Sequence, residues 1–211
     1  MTNYYTADLH LNHRRLIENE FRPSFDSIEQ FNNTILSNIN EIVKTDDSLY
    51  ILGDLALSSR INDALLIEWL DKVNCSNIFV IQGNHDNPAL LQYLKDNKII
   101  NNYYPWKVVY DRAFNININV MCHHYPVLDY HCPASASICL HGHSHGQCAG
   151  AHPPDLFDVG VDSNDFKPVT IEQLLSKYYG HYSNPYIGYL DYKNNWKQNF
   201  ETFCRELDKE R

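Results

Sequence analysis

Seven side chains in this sequence have the chemistry of metal ligands: Asp8, His10, Asp54, Asn84, His124, His143 and His145. Carboxylate, imidazole and amide carbonyl groups are the oxygen and nitrogen donors that hold divalent metals such as Mn, Fe, Zn or Ni. Two such ions side by side activate water and clamp phosphoryl oxygens, so the set points to hydrolysis of a phosphate ester. The donors stand in five short blocks: Asp8-Leu9-His10, Gly53-Asp54, Gly83-Asn84-His85-Asp86, His124-Tyr125-Pro126 and Gly142-His143-Ser144-His145. Asp8 and His10 are two apart, as are His143 and His145, and in extended chain such pairs point the same way. The glycine before Asp54 permits a sharp turn that aims the carboxylate outward. Its two oxygens can then bridge two cations. Taken singly, each histidine is better read as an ordinary surface or core residue, and Asp-x-His is commonplace. Five blocks in order, most of them directly after short apolar runs, argue for strand ends delivering side chains to one point.

The elements that must position these blocks are legible in the apolar pattern. Residues 3–8, 49–52 and 78–81 read as short strands, the last two ended by Gly53 and Gly83. A helix is expected from Asp26 as N-cap with Glu29 three residues on; Ile28, Phe31, Ile35, Ile39 and Ile42 form its apolar face. A second helix is expected over residues 61–73, with Leu65, Trp69 and Val73 on one stripe. After Tyr104 the pattern changes. Residues 107–110 read as a strand, Asp111-Arg112-Ala113 as a hairpin link, and residues 115–120 alternate polar and apolar like a half-buried strand. Residues 137–141 and 156–159 add short strands. Thr170 and Gln173 form a capping box just after Pro168. Strand–helix alternation followed by mostly strands gives the expected fold class: α/β, a layered α/β/β/α sandwich of two mixed sheets flanked by helices, with the metal site at strand ends. Residues 194–211 read as a last amphipathic helix using Trp196, Phe200, Phe203 and Leu207.

Composition sets outer bounds. The 211 residues, 44% hydrophobic and 20% charged, fit one globular domain with a sizeable core. A net charge of -9 argues against a surface that coats nucleic acid. It leaves a nucleotide substrate open, because two bound divalent metals would make the site locally positive. No apolar run approaches the roughly 20 residues that span a bilayer, and the first residues run straight into a strand-like stretch without a basic and apolar leader. A cytoplasmic protein without a membrane partner is therefore expected. The six cysteines form no Cys-x-x-Cys pair and are read as free thiols, with Cys132–Cys139 and Cys139–Cys148 as the disfavoured bridges.

With these blocks in place, the chain resembles the calcineurin-like metallophosphoesterase superfamily. Its blocks are Asp-x-His, Gly-Asp, Gly-Asn-His-Asp/Glu, His-x-Pro and Gly-His-x-His, and all five stand here in order between residues 8 and 145. The chain is further similar to a bacterial and phage subgroup of small phosphoesterases. It shares the longer first block Asp8-Leu9-His10-Leu11-Asn12-His13, the stretch Arg22-Pro23-Ser24-Phe25, and a late Val159-Gly160-Val161-Asp162 before a Pro-capped helix. The resemblance implies a metallophosphoesterase domain over residues 1–177; residues 178–211 fall outside it and are expected to be a C-terminal extension packed on the same domain. It implies two adjacent metals, one held by Asp8, His10 and His145, the other by Asn84, His124 and His143, with Asp54 bridging. His85 would act on the phosphate, with Asp86 orienting its ring. The fourth block carries two histidines, and His124 is assigned as ligand because it precedes Pro126 by two.

The chemistry implied is in-line attack by a hydroxide bridging the two metals, with His85 stabilising the developing charge or protonating the leaving alkoxide. On the substrate side, His13 fits the subgroup pattern, and Arg14, Arg15 or Arg22 could grip phosphate through a planar fork; solvated arginines are the plainer reading. Tyr125 either lines a pocket or packs in the core. The Tyr-rich stretch 178–192 either stacks on a base or fills core. A phosphodiesterase acting on a small phosphoester or nucleotide-type substrate is the favoured reading. The alternatives are a phosphomonoesterase or nucleotide phosphatase, and a non-catalytic binding platform. Long nucleic acid is disfavoured as a partner, and monomer and homodimer both stay open.

Overall fold

In the computed structural model the described residues are 1–19, 21–57, 60–127, 137–147 and 155–180, with positions 185, 188, 190, 191 and 195 beyond them. The chain begins with strand β1 (Asn3–Thr6), a short helix α1 (Arg15–Glu18) and helix α2 (Ile28–Ile42). It continues through β2 (Ser48–Ile51), α3 (Arg60–Leu70), β3 (Asn77–Ile81), α4 (Pro88–Asp96) and β4 (Asn102–Tyr104). Strands β5 (Trp106–Ala113), β6 (Ile116–His123), β7 (Ser137–His141) and β8 (Leu156–Asp158) follow, then helix α5 (Ile171–Tyr179).

These strands form two sheets, β1-β2-β3-β4 and β5-β6-β7-β8. The first sheet is parallel throughout, where the sequence pattern suggested mixed order in both. The second is mixed: β5 and β6 are antiparallel, and β6-β7-β8 run parallel. The layering follows from strand alternation. In β2, Leu49 and Ile51 join one core with Ile28, Phe31, Ile35 and Ile39 of α2 and with Leu66 and Trp69 of α3. Their neighbours Tyr50 and Leu52 join a second core with Val109, Val120 and Cys122 of the other sheet. Ile171, Leu174 and Leu175 of α5 complete that second core. The result is the expected α/β/β/α sandwich. Each such side chain taken fully out of water contributes ~1.5–3 kcal/mol.

Several local expectations shift by a residue or two. Ser27, not Asp26, caps α2: its hydroxyl accepts from the Gln30 amide, and the Gln30 side chain accepts from the Asp26 amide. Phe25, packed edge-on against Phe31 and Phe166, anchors the chain just ahead of that cap. In α3 the buried stripe is Leu66, Trp69 and Leu70, while Leu65 is 42% exposed; the Trp69 indole donates to the Asn32 carbonyl and fixes the rotation of the helix. The hairpin turns at Phe114-Asn115, both left-handed (φ 49° and 66°), as a two-residue primed turn requires. Asp111, Arg112 and Ala113 are strand residues paired with Ile118, Asn117 and Ile116, held there by the Tyr5 hydroxyl donating to Asp111. Helix α4 and strand β4 have no counterpart in the sequence reading, although Asn87 before Pro88 carries the cap signal. The capping box of Thr170 and Gln173 is present. Cys75, Cys122 and Cys139 are buried free thiols. No helix among the described residues is long and apolar enough to cross a membrane. The helix expected over residues 194–211 and nearly all of the Tyr-rich stretch lie outside the described residues.

Candidate metal centre

The candidate donors collect where the first sheet's strands end. Beyond β1 and β2 the two chains stay side by side without forming a regular ladder: the Asp8 amide donates to the Gly53 carbonyl, the His10 amide to Asp54, and the Leu11 amide to Leu55. Asp8, His10, Asp54, His143 and His145 all have left-handed backbone, with φ between 46° and 67°. For residues with a side chain this conformation costs roughly 1–2 kcal/mol each, and such strain gathers at functional sites. It turns consecutive donors out of the period-two alternation and toward one point. Two glycines make room. Gly53 has φ +90°, and a Cβ there would meet the His124 ring; a Cβ on Gly160 would stand 2.8 Å from the Asp8 carboxylate and 2.9 Å from that of Asp158.

Two donor groups result. Asp8, His10 and His145 bring one donor atom each within 4.8 Å of one another, and so do Asp8, Asp54 and His124. Asp54 Oδ2 is 3.5 Å from His10 Nε2 and 3.6 Å from His124 Nε2. Donor atoms each about 2.1 Å from a shared ion lie roughly 3–3.5 Å apart, the edge of a coordination polyhedron. Asn84 Oδ1 is 2.9 Å from His124 Nε2 and 3.0 Å from His143 Nδ1. The outer nitrogens are anchored, as second partners of metal-binding imidazoles are. His124 Nδ1 donates to the Leu52 carbonyl at 2.8 Å, which leaves Nε2 facing Asn84 and Asp54. His145 Nδ1 is 2.7 Å from Asp162 Oδ2. The Asp8 carboxylate accepts from the His143 amide, and Asp54 Oδ1 from the His85 amide.

These residues fit a pair of divalent cations. His10 is only 3% exposed, yet neither ring nitrogen has a hydrogen-bond partner. An unsatisfied buried polar group costs about 1–3 kcal/mol and calls for a missing partner. Burial, reinforced by Arg22 and the neighbouring imidazoles, pushes the His10 pKa down to about 2. The ring is therefore neutral and has a lone pair to give. Burial pushes Asp8 up to about 6 against the His143 amide and nearby imidazoles; a cation held by this carboxylate would push it the other way. His145 is raised, first by its bond to Asp162. Burial alone would raise Asp162, but His145 and Arg22 outweigh it and hold it at about 2.

The remaining expected residues divide. His85 is exposed at the mouth, its ring edge-on to His10 with centroids 5.3 Å apart. Asp86 does not orient that ring. Its carboxylate accepts from the backbone amides of Gly83, Asp54 and Leu55 at 2.8–2.9 Å, which ties two ligand-bearing loops together. His13 stands 5.7 Å from His10, ring to ring, with a buried Nδ1 that has no partner. Arg14 is exposed and faces Glu29 at 3.5 Å. Arg22 is buried, ion-paired to Asp162 and bonded to the carbonyls of Asp8 and Leu9, so its fork is not open to substrate. His123 turns to the backbone of Tyr125, away from the donors that surround His124. Tyr125 lies edge-on to His143 at 4.6 Å. A cavity of about 410 Å³ beside Asn84 is lined by Gln82, Pro105, His123 and Tyr125 among others. Two carboxylates had no role in the sequence reading. Asp162 stood out only as the end of Val-Gly-Val-Asp. Asp158 gave no signal, and it anchors the His143–His145 loop by accepting from the Ser144 hydroxyl and the Gly146 amide.

A two-sheet sandwich with oxygen and nitrogen donors gathered at its strand ends suits a class, the metal-dependent hydrolases. The calcineurin-like phosphoesterase family profile matches residues 1–207, and the chain belongs to that family. It is 26% identical over 180 residues to an uncharacterized protein of Methanocaldococcus jannaschii, covering 82% of this chain and 88% of the relative. It is 33% identical over 86 residues to the Gene 66 protein of Mycobacterium phage L5, 40% of each chain. The solved structure of a protein of unknown function from Aquifex aeolicus shares the fold, with a TM-score of 0.62 at 21% identity over 83% of this chain and 98% of that one. The family implies a dinuclear divalent metal centre, for which the two donor groups are the candidates.

Proposed function

We propose that this protein is a phosphodiesterase acting on small, nucleotide-type phosphoesters. The carrying observation is the buried His10 ring whose nitrogens have no hydrogen-bond partner, set among Asp8, Asp54 and His145. In this reading Asp8, His10 and His145 hold one divalent ion, Asn84, His124 and His143 the other, and Asp54 serves both. The ions, Mn, Fe, Zn or Ni, supply charge for the phosphoryl oxygens and acidity for the attacking water. His85, at the open mouth, carries a proton to the leaving oxygen. Asp86 holds the His85 loop against the Asp54 turn, so the two move as one unit. Residues 1–177 form the hydrolase domain. The buried free thiols of Cys75, Cys122 and Cys139 suit a reducing cytoplasm.

Two features favour a diester over a monoester. A monoester dianion needs extra positive charge, but Arg22 is engaged by Asp162 and Arg14 faces Glu29. The cavity beside Asn84 offers room for the second ester substituent. Metal-stripped protein should regain hydrolysis of bis-p-nitrophenyl phosphate when Mn, Ni, Zn, Mg or Fe is restored, faster than hydrolysis of p-nitrophenyl phosphate. Asp54→Ala should regain neither. Faster monoester turnover would reverse the specificity; no metal-restored turnover of either ester would remove the hydrolase reading.

A further inference from the structure

Arg22 and Asp162 lie 140 residues apart and meet as a bidentate pair: Nε donates to Oδ1 at 2.8 Å and Nη2 to Oδ2 at 3.0 Å. Arg22 is 2% exposed, with the Phe31 ring 4.3 Å from its guanidinium carbon. A buried ion pair of this kind is weak as a stabiliser, because desolvation offsets much of the attraction. Its other contacts suggest what it does. Left-handed backbone at Asp8 and His10 takes their segment out of the regular ladder, and the buried carbonyls there need donors. Arg22 supplies them: Nη2 donates to the Asp8 carbonyl at 2.7 Å and Nη1 to the Leu9 carbonyl at 3.0 Å. On its far side, Asp162 Oδ2 holds His145 Nδ1 at 2.7 Å. One guanidinium therefore fixes the backbone that carries Asp8 and His10 and, through Asp162, the ring of His145. Those three form one of the two donor groups. Among the described residues, the side chains of Asn84, His124 and His143 bond to one another and to the Leu52 carbonyl, not to Arg22 or Asp162.

We propose that Arg22 and Asp162 are positioning residues for the metal position of Asp8, His10 and His145, and that they act on its affinity far more than on that of the other position, with which it shares Asp8. The inference rests on the dinuclear reading of the site, not on any substrate. Arg22 makes four bonds from three nitrogens; a lysine ammonium has three donors on a single atom, so lysine is no substitute.

The test is Mn binding to metal-stripped protein, followed by calorimetry and electron paramagnetic resonance, for wild type, Asp162→Asn, Arg22→Lys and Asn84→Ala. Asp162→Asn keeps side-chain size and Arg22→Lys keeps charge, and circular dichroism shows which variants fold. Wild type should bind two ions with a spin-coupled signal. In Asp162→Asn and Arg22→Lys one ion should bind as in wild type and the other about 10- to 100-fold more weakly, with the coupled signal giving way to that of isolated Mn. Asn84→Ala should weaken the opposite ion. Two ions bound with wild-type affinity in folded variants, or both weakened equally, would overturn the assignment. Wild type that binds two ions yet hydrolyses neither ester would sink the phosphodiesterase reading and leave this one standing.

Discussion

Asp86 and His85 adjoin in sequence, yet their side chains face different tasks. The carboxylate of Asp86 is held by three backbone amides, two of them from Asp54 and Leu55, while the exposed His85 ring lies edge-on to His10. A loss of proton transfer can therefore be separated from a loss of loop structure. His85→Ala should keep both metals and lose about 10²–10⁴-fold in kcat on alkyl esters. The loss should be much smaller with p-nitrophenolate, which leaves without a proton; steady-state rates on the two leaving groups check it. An equal loss on both would take His85 out of proton transfer. The donor types were legible because ligand chemistry belongs to the residue. The partners of Asp86 were not, because two of the three are backbone amides more than thirty positions away.

At the scale of elements, apolar periodicity located helices and strands but not their rotation or ends. Phe31, Ile35 and Ile39 mark the buried face of α2 under either cap. The competition between Asp26 and Ser27 is decided by which oxygen meets the Gln30 amide, and that is Ser27. Ser27→Ala should therefore lower stability by about 1 kcal/mol in urea unfolding, and Asp26→Ala should leave it nearly unchanged. The reverse order would restore the cap expected from sequence. The hairpin misplacement has a similar origin. Asp111-Arg112-Ala113 has the polar look of a link, but a tertiary bond from Tyr5 keeps Asp111 in the strand, and the turn falls on Phe114-Asn115.

Across the whole molecule, the candidate metal site is where the two sheets meet: the segments after β1 and β2 of the first carry Asp8, His10 and Asp54, and β6 and β7 of the second lead into His124, His143 and His145. Ions bound there would join distant parts of the chain and favour the folded state, so chelation should destabilise the whole protein. A free metal level 100-fold above the dissociation constant adds about 2.7 kcal/mol. A melting temperature that falls on chelation and recovers with Mn is the expected result, and an unchanged one would argue against occupied sites. The sequence by itself determined the donor types, their order and the strands that carry them, since these follow from side-chain chemistry and local periodicity. Only the tertiary structure decided that Arg22 faces inward to Asp162 and that Asp86 braces two loops. Those assignments depend on which buried groups lack partners, and partners are fixed by contacts between residues far apart in the chain.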